Sequence, residues 1–179
     1  FSRSNPKRGV KLLVVAILFS IGTYLAKTFL SLDCLILFNV LHMLSVSILV
    51  YSLIVYLEKK WEVDFKITNA LMSFFGVWII AMGEKISDMD GVIDGPWLIP
   101  FGIIGKNSFF MADYMALIPW LGVFLIGAVV GRVCYANKTS LITNPPKALL
   151  KINKPFSFLG RHSLIIYIIH TFVHLNSMF

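Results

Sequence analysis

The feature that most constrains this 179-residue chain is a series of apolar runs, each close to the length needed to cross a bilayer. A helix needs about 20 mostly apolar residues to span a ~30 Å hydrocarbon core. Such runs fall at about 11–30, 35–57, 67–82, 115–135 and 156–176. The third is the shortest, and Phe65 and Gly83 can extend it. In lipid every backbone polar group must be paired within the protein, so helices are the expected form. No run alternates with period two over the length of a barrel strand. Composition points the same way. The chain is 58% hydrophobic and only 14% charged, against about 25% charged in a soluble domain. The expectation is an all-α protein, a polytopic transmembrane helical bundle of about five spans, forming one integral-membrane domain over residues 1–179.

The net charge is +7. A basic balance can signal nucleic acid, but here the charges lie between the apolar runs, so they report topology and no nucleic-acid partner is expected. Thirteen of the sixteen Lys and Arg fall on one side of the expected membrane. The other side keeps Lys27, Lys85 and Lys106, and its long loop carries Glu84, Asp88, Asp90, Asp94 and Asp113. The positive-inside rule then puts the start of the chain in the cytoplasm and the C-terminus outside, in a multi-pass protein of the plasma membrane. The sequon at Asn137 lies on the inner side, where glycosylation is not expected. Cys34 and Cys134 lie in or beside apolar runs and suggest neither a disulfide framework nor a metal site. Residues 84–114 include VIDGPWLIPFGIIG, broken by Gly95, Pro96, Pro100, Gly102 and Gly105. That segment reads as a re-entrant or interfacial loop, or as an ordinary extramembrane one. The opening FSRSNPKRGVK reads as the end of one helix and the start of the next, so further helices are expected upstream.

Polar residues inside such runs are costly and need a partner or a role. In GRHSLIIYIIH, residues 160–170, Ser163, Tyr167 and His170 fall with His174 on one helical stripe, opposite Leu164, Ile165, Ile168, Ile169 and Phe172. The stripe is either a seam between helices or the lining of a cavity. Arg161 and His162 at the expected start of that helix suit an anion such as a phosphate, or a snorkelling anchor. In the second run Asn39, His42 and Ser45 share one side. A histidine there is either a structural hydrogen-bonded group or a general base. The fourth run has Asp113 and Tyr114 at its outer end. Pro119 is expected to bend its helix, Trp120 to pack on a ligand or anchor at the interface, and Gly127 with Gly131 to let a neighbouring helix approach. Asp113 is the carboxylate nearest His42 in expected depth, so an acid–imidazole pair is open.

The segments FNVLHMLSVS, DYMALIPWLGVFLIGAVVGRVCY and FLGRHSLIIYIIH together resemble the catalytic-domain family of heparan-alpha-glucosaminide N-acetyltransferase, in its bacterial branch within the wider transmembrane acyltransferases. The resemblance covers nearly the whole chain. It implies an integral membrane acyltransferase that moves an acetyl or other acyl group from acyl-CoA to a sugar amine or hydroxyl. Acetyl-CoA or another acyl-CoA is then the co-substrate, no metal is needed, and the partners are the lipid bilayer and a sugar or glycan acceptor. A homo-oligomer is compatible with it. On this reading His42, His170 and Asp113 are the catalytic candidates. Arg161, His162 and Arg132 meet the CoA phosphates, and Asn39, Trp120 and Tyr167 line the substrate path. The family pattern opens with an acidic-Arg-Gly motif and a histidine-bearing helix. This chain starts after that region, so the main base is expected upstream. The alternative is a non-catalytic membrane carrier or structural subunit, which needs no such base.

Overall fold

A computed structural model describes residues 5–30, 36–88, 96–103, 114–135 and 157–177. The elements are α1 (Asn5–Leu30), α2 (Val40–Lys60), α3 (Phe65–Ser87), a short 3-10 helix (Pro96–Phe101), α4 (Trp120–Cys134) and α5 (Ser163–Ser177). A helical turn at 157–161 precedes α5. Among the described residues there is no strand, only an isolated antiparallel bridge between Asn39 and Tyr114. Among the described residues three helices are long and apolar enough to cross a membrane, over Asn5–Phe29, Val40–Lys60 and Phe65–Ile86, and α4 is a shorter apolar helix. The all-α membrane fold expected from the apolar runs is the fold observed. Contacts divide the chain into two units, Phe1–Val133 and Cys134–Phe179.

Helix ends follow local chemistry more than hydropathy. α1 starts ahead of the apolar run because Pro6 fits a first turn, where its missing N–H is not needed. α2 starts later than expected because Asn39 caps it. It stops at a tight reversal in which Glu62 takes a left-handed φ of 51° and the Val63 N–H reaches the Glu58 carbonyl at 3.0 Å. Asp64 then caps α3, its Oδ1 accepting the Lys66 N–H at 2.9 Å. α4 starts at Trp120, not near 115. Pro119 therefore stands ahead of the helix and does not bend it, and its carbonyl accepts the Gly122 N–H at 2.9 Å. A proline is tolerated at that end, where an unpaired N–H would otherwise be left over.

In the first unit α1 packs on α2, with Gly9 close against Ile48 and Leu49. Thr23 on α1 donates to the Ser20 carbonyl at 2.9 Å and accepts the Ile36 N–H at 3.4 Å. α3 and α4 run antiparallel. Gly83 lies beside Pro119, and Gly76 meets Gly122 so closely that a Cβ on Gly122 would run into the Gly76 carbonyl oxygen. The expected approach at Gly127 and Gly131 is not the one observed. Among the described residues nothing lies within 4 Å of a Cβ built on either. The small residue of α4 that admits a neighbour is Gly122, nearer the start of the helix. Large apolar side chains on α3, such as Phe74, Val77 and Trp78, are exposed, as a helix facing lipid tails requires.

Candidate functional site

The start of α2 lies beneath a cap made of two distant stretches. Residues 96–103 and 114–119 join where the Leu117 N–H donates to the Pro100 carbonyl at 2.7 Å and the Tyr114 hydroxyl donates to the Ile99 carbonyl. Gly102, at φ 109°, turns the chain and donates to Ile99 at 3.2 Å. Ile99 packs with Phe38 and Met43, against Tyr114, Met115 and Leu117. The Asn39–Tyr114 bridge ties this cap to α2.

Two polar side chains are buried below it. Asn39 is 0% exposed and His42 8%. Asn39 Oδ1 lies 3.3 Å from the His42 backbone N–H nitrogen and 2.9 Å from His42 Nδ1. The Phe38 ring stacks on the imidazole at 5.4 Å between centroids. Asn39 Nδ2 is buried and has no hydrogen-bond partner among the described residues, an arrangement that costs about 1–3 kcal/mol. Ser45 shares this side, but its hydroxyl is satisfied locally by the His42 carbonyl at 2.8 Å. Trp120 is exposed at the start of α4. Asp113 lies outside the described residues, although its neighbour Tyr114 is beside Asn39.

The far ends of α2 and α4 form a second polar cluster. Arg132 is buried, and its Nη2 lies 2.6 and 2.8 Å from the two Glu58 carboxylate oxygens. The guanidinium also stands 4.4 Å over the Phe65 ring, a cation–π contact, and Nη1 meets Met72 Sδ at 3.6 Å. The expected phosphate ligand is thus already neutralised by a carboxylate. Glu58 was not singled out from the sequence. The signal available was an acidic residue at the end of an apolar helix, followed by Lys59 and Lys60.

In the second unit Arg161 is exposed and His162 half-buried. With Ser157 and Phe158 they line an open recess of about 480 Å³. His162 Nδ1 lies 3.0 Å from the Phe158 carbonyl oxygen, the two rings are 4.4 Å apart, and the His162 N–H points to the Phe158 and Leu159 carbonyls at 3.2 Å each. His162 is therefore held within its own helical turn, and the chain is already helical before it. Of the stripe on α5, Ser163 and His170 are exposed and Tyr167 half-buried. The side chain of His174 lies outside the description.

A helical membrane protein with polar clusters at both ends of α2 is the class these features define. The sequence profile of one family, Heparan-alpha-glucosaminide N-acetyltransferase, catalytic, matches residues 2–172. The chain belongs to that family. No curated protein and no solved structure matches it.

Proposed function

We propose that the protein is an integral membrane acyltransferase that moves an acetyl or related acyl group from acyl-CoA to a sugar amine or hydroxyl. The observation that carries this reading is the Asn39–His42 pair. An imidazole buried at the start of an apolar helix, oriented by an amide, is the kind of group that takes a proton from a nucleophile. In the first unit His42 accepts the proton of the acceptor amine or hydroxyl as the new bond forms at the thioester carbonyl carbon. The carbon–sulfur bond then breaks, and the departing CoA thiolate takes up that proton. In the second unit Arg161, exposed in its recess with Ser157 and His162, is the ligand for CoA phosphates. His170 and Asp113 are further catalytic candidates, and Trp120 and Tyr167 are candidates for the substrate path. Arg132, paired with Glu58, braces the bundle instead. The basic flanks support a cytoplasmic start and an external C-terminus in the plasma membrane.

Calorimetric titration of acetyl-CoA into the full-length protein in detergent tests the reading. Binding is expected, and Arg161→Ala is expected to abolish it. A folded full-length protein that neither binds nor turns over acyl-CoA would move the chain to the carrier or structural reading.

A further inference from the structure

We infer that Asn39 is a positioning residue that sets which nitrogen of His42 is the base, an inference that rests on the acyltransferase reading above. Asn39 occupies the N-cap of α2 and His42 the third helical position. Side chains on a helix lean toward its N-terminus, so the imidazole folds back over the cap. The Asn39 Oδ1 then meets two nitrogens of one residue, the His42 backbone N–H at 3.3 Å and ring Nδ1 at 2.9 Å.

The orientation of the amide follows from the first contact. A backbone N–H can only donate, so the atom facing it is the oxygen and not Nδ2. The same oxygen can only accept, so ring Nδ1 carries a proton. A neutral imidazole with Nδ1 protonated keeps its lone pair on Nε2. The stacked Phe38 ring fixes the plane of the imidazole. Asn39 thus does two jobs with one atom. It ends the helix and it selects the tautomer, and it does not need to touch substrate. The spacing Asn-x-x-His is a capping box in which the third residue reaches back to the cap side chain instead of the cap backbone.

The test uses the full-length protein in nanodiscs, labelled with ¹⁵N-histidine, with His42→Gln to assign the His42 ring signals. The wild type is expected to show protonated Nδ1 and a lone pair on Nε2. Asn39→Ser keeps a helix cap but is too short to hold the ring. It is expected to give mixed tautomers and a kcat lower by about tenfold or more, the direction a wrong tautomer imposes on a histidine base, with KM for acyl-CoA and acceptor little changed. Asn39→Asp keeps the accepting oxygen and is expected to restore the wild-type tautomer and most of kcat. A lone pair on Nδ1 in the wild type, or an unchanged tautomer in folded Asn39→Ser, overturns the inference. Full activity in His42→Gln would instead sink the role of His42 as base, and the ring signals would still decide whether Asn39 sets the tautomer.

Discussion

The two ends of α2 hold polar groups in opposite ways. At one end Glu58 and Arg132 cancel each other's charge and a phenyl ring covers the guanidinium. At the other end Asn39 and His42 are just as buried, yet the Asn39 Nδ2 has no partner among the described residues. A satisfied pair in low dielectric rigidifies, whereas an incompletely satisfied one persists only if the surrounding structure holds it. The comparison separates a polar cluster that braces the bundle from one that fits the chemistry.

The contrast breaks most sharply at His42. His42→Gln should lower acyl-transfer turnover by about 10²–10⁴-fold, the usual contribution of a general base, with little change in thermal unfolding. A stability loss as large as the activity loss would make the Asn39 end a brace as well. Glu58→Gln should do the reverse. It leaves Arg132 buried and unpaired, which costs about 3–5 kcal/mol, so the denaturation midpoint should fall while acetyl-CoA affinity per folded molecule holds. Acetyl-CoA binding that tightened in this variant would return Arg132 to the phosphate site. The smallest effects should come from two glycines of α4. Gly122→Ala forces a Cβ into the Gly76 carbonyl and should cost about 1–3 kcal/mol. Gly127→Ala meets nothing and should stay within about 0.5 kcal/mol. Equal effects at the two glycines, measured by chemical denaturation, would mean that α3 and α4 do not pack through Gly76.

What the sequence disclosed tracks what is local. Run length and hydropathy announced the helices, and the i, i+3 spacing placed Asn39 beside His42, because both signals depend on one stretch of chain. Helix ends were less legible. Asn39 and Pro119 each moved a boundary inward by capping or preceding a helix that hydropathy alone would start sooner. Pairings between helices were not legible. Gly127 and Gly131 have the same spacing logic as any small-xxx-small pair, and nothing in their run says which face meets α3. The partner of Arg132 was not legible either, because a positive charge near a membrane edge reads the same whether or not a carboxylate waits 74 residues away. The Tyr114–Asn39 bridge was invisible for the same reason.

That last separation also bears on how the protein is made. Glu58 leaves the ribosome long before Arg132, so the end of α2 must be inserted while its carboxylate has no counter-charge. An acidic group in that position is tolerated at the water boundary and resisted deeper. The α2–α3 hairpin should therefore settle first with Glu58 held at the aqueous edge. The arrival of α4 would then draw the two charges together and seat the hairpin, which makes the ion pair the latch for a stepwise assembly of the first unit.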